Sequence, residues 1–215
     1  MLRDLSEDEI HERLNARVEY GGLPPLADHL SEQPDSTSKS FPQNILSHIM
    51  RPAAVLIPLL RQTDGWHLLF IRRSEVEQDA HSGQVAFPGG RVEKSETLEE
   101  AALREAYEEV SIYPNDVHVL GKLTPLRTIT NYIITPVVGI IPWPYAVQPE
   151  PKEVSRIFTI PLSWLANPKN HTERFWKRAP LLNRVKVIYF NPYDGETLWG
   201  ASARITVNFL DILLN

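Results

Sequence analysis

Residues Gly90 to Ile112 read GRVEKSETLEEAALREAYEEVSI, and this stretch decides how the chain folds and where its chemistry lies. Thr97 followed three residues later by Glu100 is a capping box, so the spacing predicts a helix that begins at Leu98. Leu98, Ala102, Ala106 and Val110 recur every four residues and make a narrow apolar stripe for packing on a sheet. The opposite side is left to Glu105, Glu108 and Glu109, which their spacing turns the same way. Like charges repel there, and Glu108 and Glu109 oppose the helix dipole near the C-terminal turn. Arg104 offsets part of that charge, as it would on an ordinary solvated acidic face. A hard divalent cation among the carboxylates would remove the conflict.

Working outward, Arg51 to Leu60 and Trp66 to Arg73 read as two strands, with Gln62-Thr63-Asp64-Gly65 as the turn of a hairpin. A loop from Ser74 to Gln84 leads to the short extended segment Val85-Ala86-Phe87 and the turn Pro88-Gly89-Gly90. Further strands are expected at Val117 to Leu120, Tyr132 to Ile141, Val154 to Ile160 and Lys186 to Phe190, and a last helix from about Ala201 to Leu214. Ser6-Glu7-Asp8-Glu9 opens an N-terminal helix running to about Val18, which Gly21-Gly22 and Pro24-Pro25 stop. The polar segment SEQPDSTSKSFPQ at residues 31–43 reads as a linker, so the chain divides into a helix and linker at 1–44 and a main domain at 45–215. Strands interleaved with a few helices imply an α/β or α+β layered domain with a mixed sheet between helices.

Composition narrows the function classes. With 215 residues and 42% hydrophobic content the chain can bury a sizeable core. Apolar runs such as Val137 to Ile141 are strand-length and too short to span a bilayer, and the acidic N-terminus lacks the pattern of a secretory signal. The chain contains no cysteine, which excludes disulfides and thiolate metal sites and suits a reducing cytoplasm. A net charge of -5 argues against a nucleic-acid partner. An anionic small molecule would have to be held by local arginines and metal. A homodimer is allowed without being required.

The spacing around the helix resembles the Nudix hydrolase signature: Gly90, five residues, Glu96, seven residues, Arg104-Glu105, two residues, Glu108-Glu109. Ala106 stands where the signature has a larger aliphatic residue and Ser111 where it has glycine. A serine forced into a left-handed helix end should cost about 1 kcal/mol. The resemblance implies a Nudix-type α/β sandwich that hydrolyses a nucleoside diphosphate linked to another group, using Mg2+ or Mn2+ held by carboxylates. Carried over residue by residue, Glu105 and Glu109 are the implied metal ligands and the carbonyl of Gly89 completes the set. Glu108 is a further ligand or a base acting through water, and Arg104 with Glu96 orients the glutamates. A loop glutamate, Glu150 or Glu153, is the alternative base.

Upstream, LFIRRS at residues 69–74 and HSGQVAFPGG at residues 81–90 resemble the extra motif of the coenzyme A pyrophosphatase branch. ITPVVG at 134–139 and LWGASAR at 198–204 extend the similarity to the C-terminus. This implies substrate contacts from Arg73, His81, Gly83, Gln84, Phe87 and Gly90, and cleavage of coenzyme A or an acyl derivative to 3′,5′-ADP and a 4′-phosphopantetheine product. The loop before Gly83 is one residue longer than the pattern, and Gln78 or Asp79 stands where an arginine is expected. ADP-ribose, a dinucleotide or a nucleoside triphosphate is the alternative substrate, and a non-catalytic nucleotide-binding module the alternative class.

Other residues carry blander readings. His81 and Gln84 beside Gly83 suit a hydrogen-bonded loop, and of Arg72 and Arg73 on one strand only one faces a cleft, Arg73 by its match to the motif. Trp143, Trp164 and Trp176 fit cores or interfaces as well as adenine stacking. Arg174, Lys177, Arg178 and Arg184 read as solvated surface before they read as a phosphate contact.

Overall fold

The computed structural model describes residues 2–18, 50–75, 82–128, 130–178 and 182–215. After a 3-10 turn at Leu2–Asp4 comes α1 (Glu7–Val18), where Ser6 Oγ accepts the Glu9 amide at 3.1 Å and the Glu9 carboxylate accepts the Ser6 amide at 2.8 Å. The capping box read from the sequence is therefore formed. The linker at 31–43 and the loop residues Gln78, Asp79 and His81 lie outside the described residues.

Strands β1 (Arg51–Gln62) and β2 (Gly65–Arg73) form the expected antiparallel hairpin, closing at Gln62 and Gly65. The run Tyr132–Ile141, strand β7, lies parallel to β1 over its whole length, Arg51 opposite Tyr132 and Leu60 opposite Ile141. Both central strands are buried along their middle stretches, Leu56 to Leu60 of β1 and Thr135 to Ile141 of β7, which is why they read as continuous apolar runs and not as alternation. Strands β3 (Val85–Ala86) and β8 (Val154–Pro161) pair antiparallel with β2, and β5 (His118–Lys122) and β6 (Leu126–Arg127) with β7. Pro88-Gly89-Gly90 departs from the expected turn. Gly89–Arg91 is strand β4, paired antiparallel with Ala53–Val55 of β1. A Cβ on Gly89 would come within 2.4 Å of the Ala54 carbonyl oxygen, so glycine is what lets the backbone approach β1 so closely.

Helix α2 (Leu98–Val110) covers one face of this sheet. Its Ala101, Ala102, Ala106 and Val110 pack with Leu69 and Ile71, the odd positions of β2. The even positions Leu68 and Phe70 face the other way, into the larger core built with α1 and α4 (Gly200–Leu214), where Ile10, Leu14 and Phe209 are buried. The alternation of β2 thus gives each face its own core. The short helix α3 (Leu162–Leu165) adds Leu162 and Leu165 to the larger core. A separate antiparallel pair, β9 (His171–Arg178) and β10 (Leu182–Phe190), joins it through Ile188 and Phe190. The sequence reading placed no strand at β9. Among the described residues no helix is long and apolar enough to cross a membrane. The architecture is a mixed sheet between helices, an α+β fold.

Candidate active site

The helix begins where its capping box puts it: Thr97 Oγ1 accepts the Glu100 amide at 3.2 Å and Glu100 Oε2 the Thr97 amide at 2.7 Å. It ends at Ser111, which takes the left-handed conformation (φ 58°, ψ 32°) expected of a glycine there. The loop before β8 takes over the last carbonyls, the Gln148 amide donating to Val110 O at 3.1 Å and the Glu150 amide to Glu109 O at 2.9 Å. That brings Glu150 and Glu153 beside the glutamate cluster.

Arg104 organises one side of the cluster. Its Nε and Nη2 hold both Glu96 oxygens at 3.1 and 2.9 Å, Nη2 also reaches the Arg91 carbonyl at 3.0 Å, and Nη1 donates to Glu105 at 3.0 Å and Glu108 at 3.1 Å. A guanidinium with this many fixed acceptors is locked in place. The hydrogen bond from Arg104 holds the Glu96 carboxyl below the usual carboxylate range, and Glu96 in turn raises the Arg104 pKa. Gly90 completes the packing: a Cβ there would sit 2.4 Å from the Glu105 carboxylate.

Glu109 adds to the sequence reading. Helical spacing sets it opposite the apolar stripe with Glu105 and Glu108, yet only 1% of it is exposed, between the helix and strand β4. Its Oε2 accepts the Gly89 amide at 2.9 Å, and its Oε1 lies 3.6 Å from Arg73 Nη1. Burial pushes its carboxyl up to about 7, against the Gly89 hydrogen bond and the Arg73 charge that pull it down. Burial also raises Glu105 despite Arg104, and the charge of Glu153 adds to the rise at both Glu105 and Glu109.

These carboxylates are tied to different partners, and among the described residues no three acidic or imidazole side chains converge on a single point. The donor chemistry nevertheless fits a divalent cation. One buried and one half-buried carboxylate, both with raised pKa values, and a third at the rim are hard oxygen donors with surplus negative charge.

Of the other expected contacts, Arg73 and Gly90 lie against the glutamates, and Gly83 lies beside Glu75 and Arg72. Arg73 reaches Glu109; Gln84, half-buried, accepts the Arg73 amide on its carbonyl at 3.0 Å; and Gly83 has a positive φ of 68°. Phe87 departs from the expected surface position: it is 2% exposed, its ring centroid 4.6 Å from that of Phe70, so its side chain packs in the core. Trp164 packs on Phe190 and Tyr193, Trp199 stacks on Tyr189, and Trp143 is exposed. The Arg174 guanidinium lies over the Tyr189 ring, while the side chains of Trp176, Lys177, Arg178 and Arg184 lie outside the described residues.

Arg72, the arginine not expected to face a cleft, does so. It lines a cleft of about 450 Å³ with Ser74, Glu75, Ser155, Arg156 and Glu196, and Glu196 is 7% exposed. Strand alternation signalled that Arg72 and Arg73 face opposite sides, but nothing local connects Arg72 to Arg156 or Glu196, which sheet pairing and a distant turn bring to it.

A NUDIX domain family model matches residues 50–183. The chain is 37% identical over 171 residues to NudL of Yersinia pestis (strain Pestoides F), described as an uncharacterized Nudix hydrolase, covering 76% of this chain and 83% of that relative. Among solved structures, the Nudix hydrolase RenU of M. smegmatis aligns with a TM-score of 0.47 and 21% identity, over 54% of this chain and 74% of that one. A MutT/nudix family protein from Enterococcus faecalis aligns with a TM-score of 0.48 and 14% identity, over 98% of this chain and 75% of that one.

Proposed function

We propose, from the premise that this chain belongs to the Nudix family, that it hydrolyses the pyrophosphate of coenzyme A or acyl-coenzyme A to 3′,5′-ADP and a 4′-phosphopantetheine product. The observation that carries the hydrolytic reading is Glu109, a buried carboxylate set against Glu105 and the Gly89 backbone with its pKa raised to about 7. Such a group destabilises the fold unless a cation completes it, so a pure binding module would have no use for it. The coenzyme A reading is supported by the HSGQVAFPGG sequence, whose two final glycines admit the strand backbone to β1 and to Glu105.

Nudix hydrolases generally use divalent metals. In this chain Glu105 and Glu109, with Glu108 and the Gly89 carbonyl, would hold the ion, Mg2+ or Mn2+. When bound, such an ion neutralises charge on the phosphate oxygens and makes a water more acidic. The side chains do the rest. Arg104, fixed by Glu96 and the Arg91 carbonyl, keeps Glu105 and Glu108 turned toward the reacting phosphorus. The proton leaving the attacking water passes to a carboxylate at the rim, Glu108 or Glu153. Arg73 stands beside Glu109 to meet a pyrophosphate oxygen, and Gly83, Gln84 and Gly90 shape the approach. The test is direct: purified protein with Mg2+ or Mn2+ releases 3′,5′-ADP from coenzyme A, identified by mass. Turnover of ADP-ribose without turnover of coenzyme A would sink the substrate assignment and leave the hydrolase.

A further inference from the structure

Arg72 of β2 and Arg156 of β8 are direct partners in the antiparallel ladder. Side chains at such a pair project from the same face, and like charges directly opposite each other destabilise a sheet. The chain relieves the repulsion with one carboxylate from far along the sequence. Glu196, on the turn before α4, places Oε1 3.0 Å from Arg156 Nη1 and Oε2 3.6 Å from Arg72 Nη1. It is buried at 7% exposure, and its backbone is fixed by reciprocal hydrogen bonds with Tyr193, each 2.9 Å. Two guanidiniums thus share one buried counter-charge in a cleft of about 450 Å³, and the other carboxylates that meet them, Glu75 and Asp194, are exposed.

Beyond Glu196, both arginines are met by exposed carboxylates, and Arg156 Nη1 also donates to the Asp194 carbonyl at 2.9 Å. Glu75 approaches Arg72 Nη2 at 3.4 Å with 79% of its side chain exposed, and Asp194, 65% exposed, pairs with Arg156 Nη2. Exposed pairs of this kind contribute little to stability, so a stronger anion can take their places. A phosphate oxygen pair matches the planar guanidinium fork better than a mobile surface carboxylate does.

The cleft adjoins the catalytic carboxylates. Arg72 and Arg73 are consecutive, one to each face at the end of β2, and a register irregularity separates them in the ladder with β8. The Ser74 amide donates to Glu153 O at 2.8 Å, and the charge of Glu153 acts on both Glu105 and Glu109. Residues 72–74 and 153–156 therefore form a wall common to both places. Gly83 of the HSGQ loop lies on the same wall, where an added Cβ would be 4.0 Å from Arg72 Nη2.

We infer that the Arg72–Arg156 cleft is a second phosphate subsite, which takes a phosphomonoester of the substrate away from the bond that is cleaved. The inference rests on the reading of the substrate as a nucleotide with such a group, the 3′-phosphate of the 3′,5′-ADP half of coenzyme A. Arg72 and Arg156 are specificity-determining residues, and Glu196 positions them.

Calorimetric titration with 3′,5′-ADP and with 5′-AMP tests this without requiring turnover. The wild type binds the bisphosphate about tenfold or more tightly than the monophosphate, the scale of a charge-assisted contact. Arg156→Gln and Arg72→Gln each reduce that preference to about twofold or less, and Arg156→Lys, which keeps the charge and loses the fork, falls between. Melting temperatures of the same samples show which variants fold; if Arg156→Gln does not, Arg72→Gln and Arg156→Lys decide. Equal affinities in the wild type, or a preference that survives substitution of both arginines, overturns the subsite. Hydrolysis of coenzyme A with equal affinities removes the subsite alone, whereas a preference lost in the variants, with no hydrolysis of coenzyme A, upholds the subsite and removes the substrate.

Discussion

On one face of the sheet, carboxylates outnumber their cations: Glu96, Glu105, Glu108 and Glu109 share Arg104 and Arg73. On the other face two arginines stand opposite each other around the single buried carboxylate of Glu196. The first place crowds carboxylates around fewer cations, whereas in the second the guanidiniums share one buried carboxylate and are otherwise met by the exposed carboxylates of Glu75 and Asp194. Two adjacent residues of one strand, Arg73 and Arg72, serve the two places because a strand turns successive side chains to opposite faces. The difference teaches that where the charges are buried decides what each place can exchange: the helix face offers crowded carboxylates, which suit a cation, and the cleft offers guanidiniums whose outer partners are exposed, which suit an anion.

The sharpest way to separate the two faces is Glu109→Gln. Hydrolysis should fall on the order of 10²- to 10³-fold or more, by initial-rate assay with Mg2+ or Mn2+, because a neutral amide cannot replace a buried anionic ligand. The bisphosphate preference of the cleft should be unchanged. If that preference disappears too, the two faces are one site and the comparison breaks.

The helix face should also declare itself in stability. The folded-state pKa of Glu109, about 7, lies above the ordinary carboxylate value of 4.5. The native state therefore holds an extra proton between those values, and the chelated, metal-free protein should lose stability as pH rises through that window, by roughly 2–4 kcal/mol. Denaturant melts in chelator at pH 5 and pH 8 read this directly. Glu109→Gln should flatten the dependence, so that the inactive variant is the more stable protein at pH 8. A wild type that is equally stable at both values would refute the burial argument.

Arg104→Lys sharpens the comparison from the side of orientation. Lysine keeps the charge but cannot hold both Glu96 oxygens while reaching Glu105 and Glu108. Activity or metal affinity should drop about 10- to 100-fold, with binding of 3′,5′-ADP in the cleft unaltered. The smallest effect is expected at Ser111→Gly, which relieves the left-handed serine and gives up its 3.3 Å hydrogen bond to the Gln148 carbonyl. Stability should rise by at most about 1 kcal/mol, as a small gain in melting temperature, with turnover unchanged.

How far these faces could be read from the chain depended on distance along it. Helix α2 was legible to its first residue, because Thr97, Glu100 and the four-residue stripe are local signals. The β1–β2 hairpin and β7 followed from apolar runs and a turn. Three features escaped for physical reasons. The burial of Glu109 was not legible because helical spacing says which side a residue is on, not whether a neighbouring strand covers it. Pro88-Gly89-Gly90 carries turn chemistry, but its glycines serve close approach to β1, and only the ladder makes the segment a strand. The Arg72, Arg156 and Glu196 cluster draws on three distant segments and exists only once the sheet is paired and the turn before α4 is folded.

The backbone bonds from Gln148 and Glu150 to the carbonyls of Val110 and Glu109 have a consequence for motion. A helix normally frays at its last turn, where carbonyls look to water. Here an irregular loop finishes the helix, so the amides of Gln148 and Glu150 should exchange with deuterium as slowly as helical amides and in step with them. The two cannot loosen separately. Opening that loop would also unfasten Glu109, making the rate at which deuterium enters those two amides a clock for how often the carboxylate cluster comes apart.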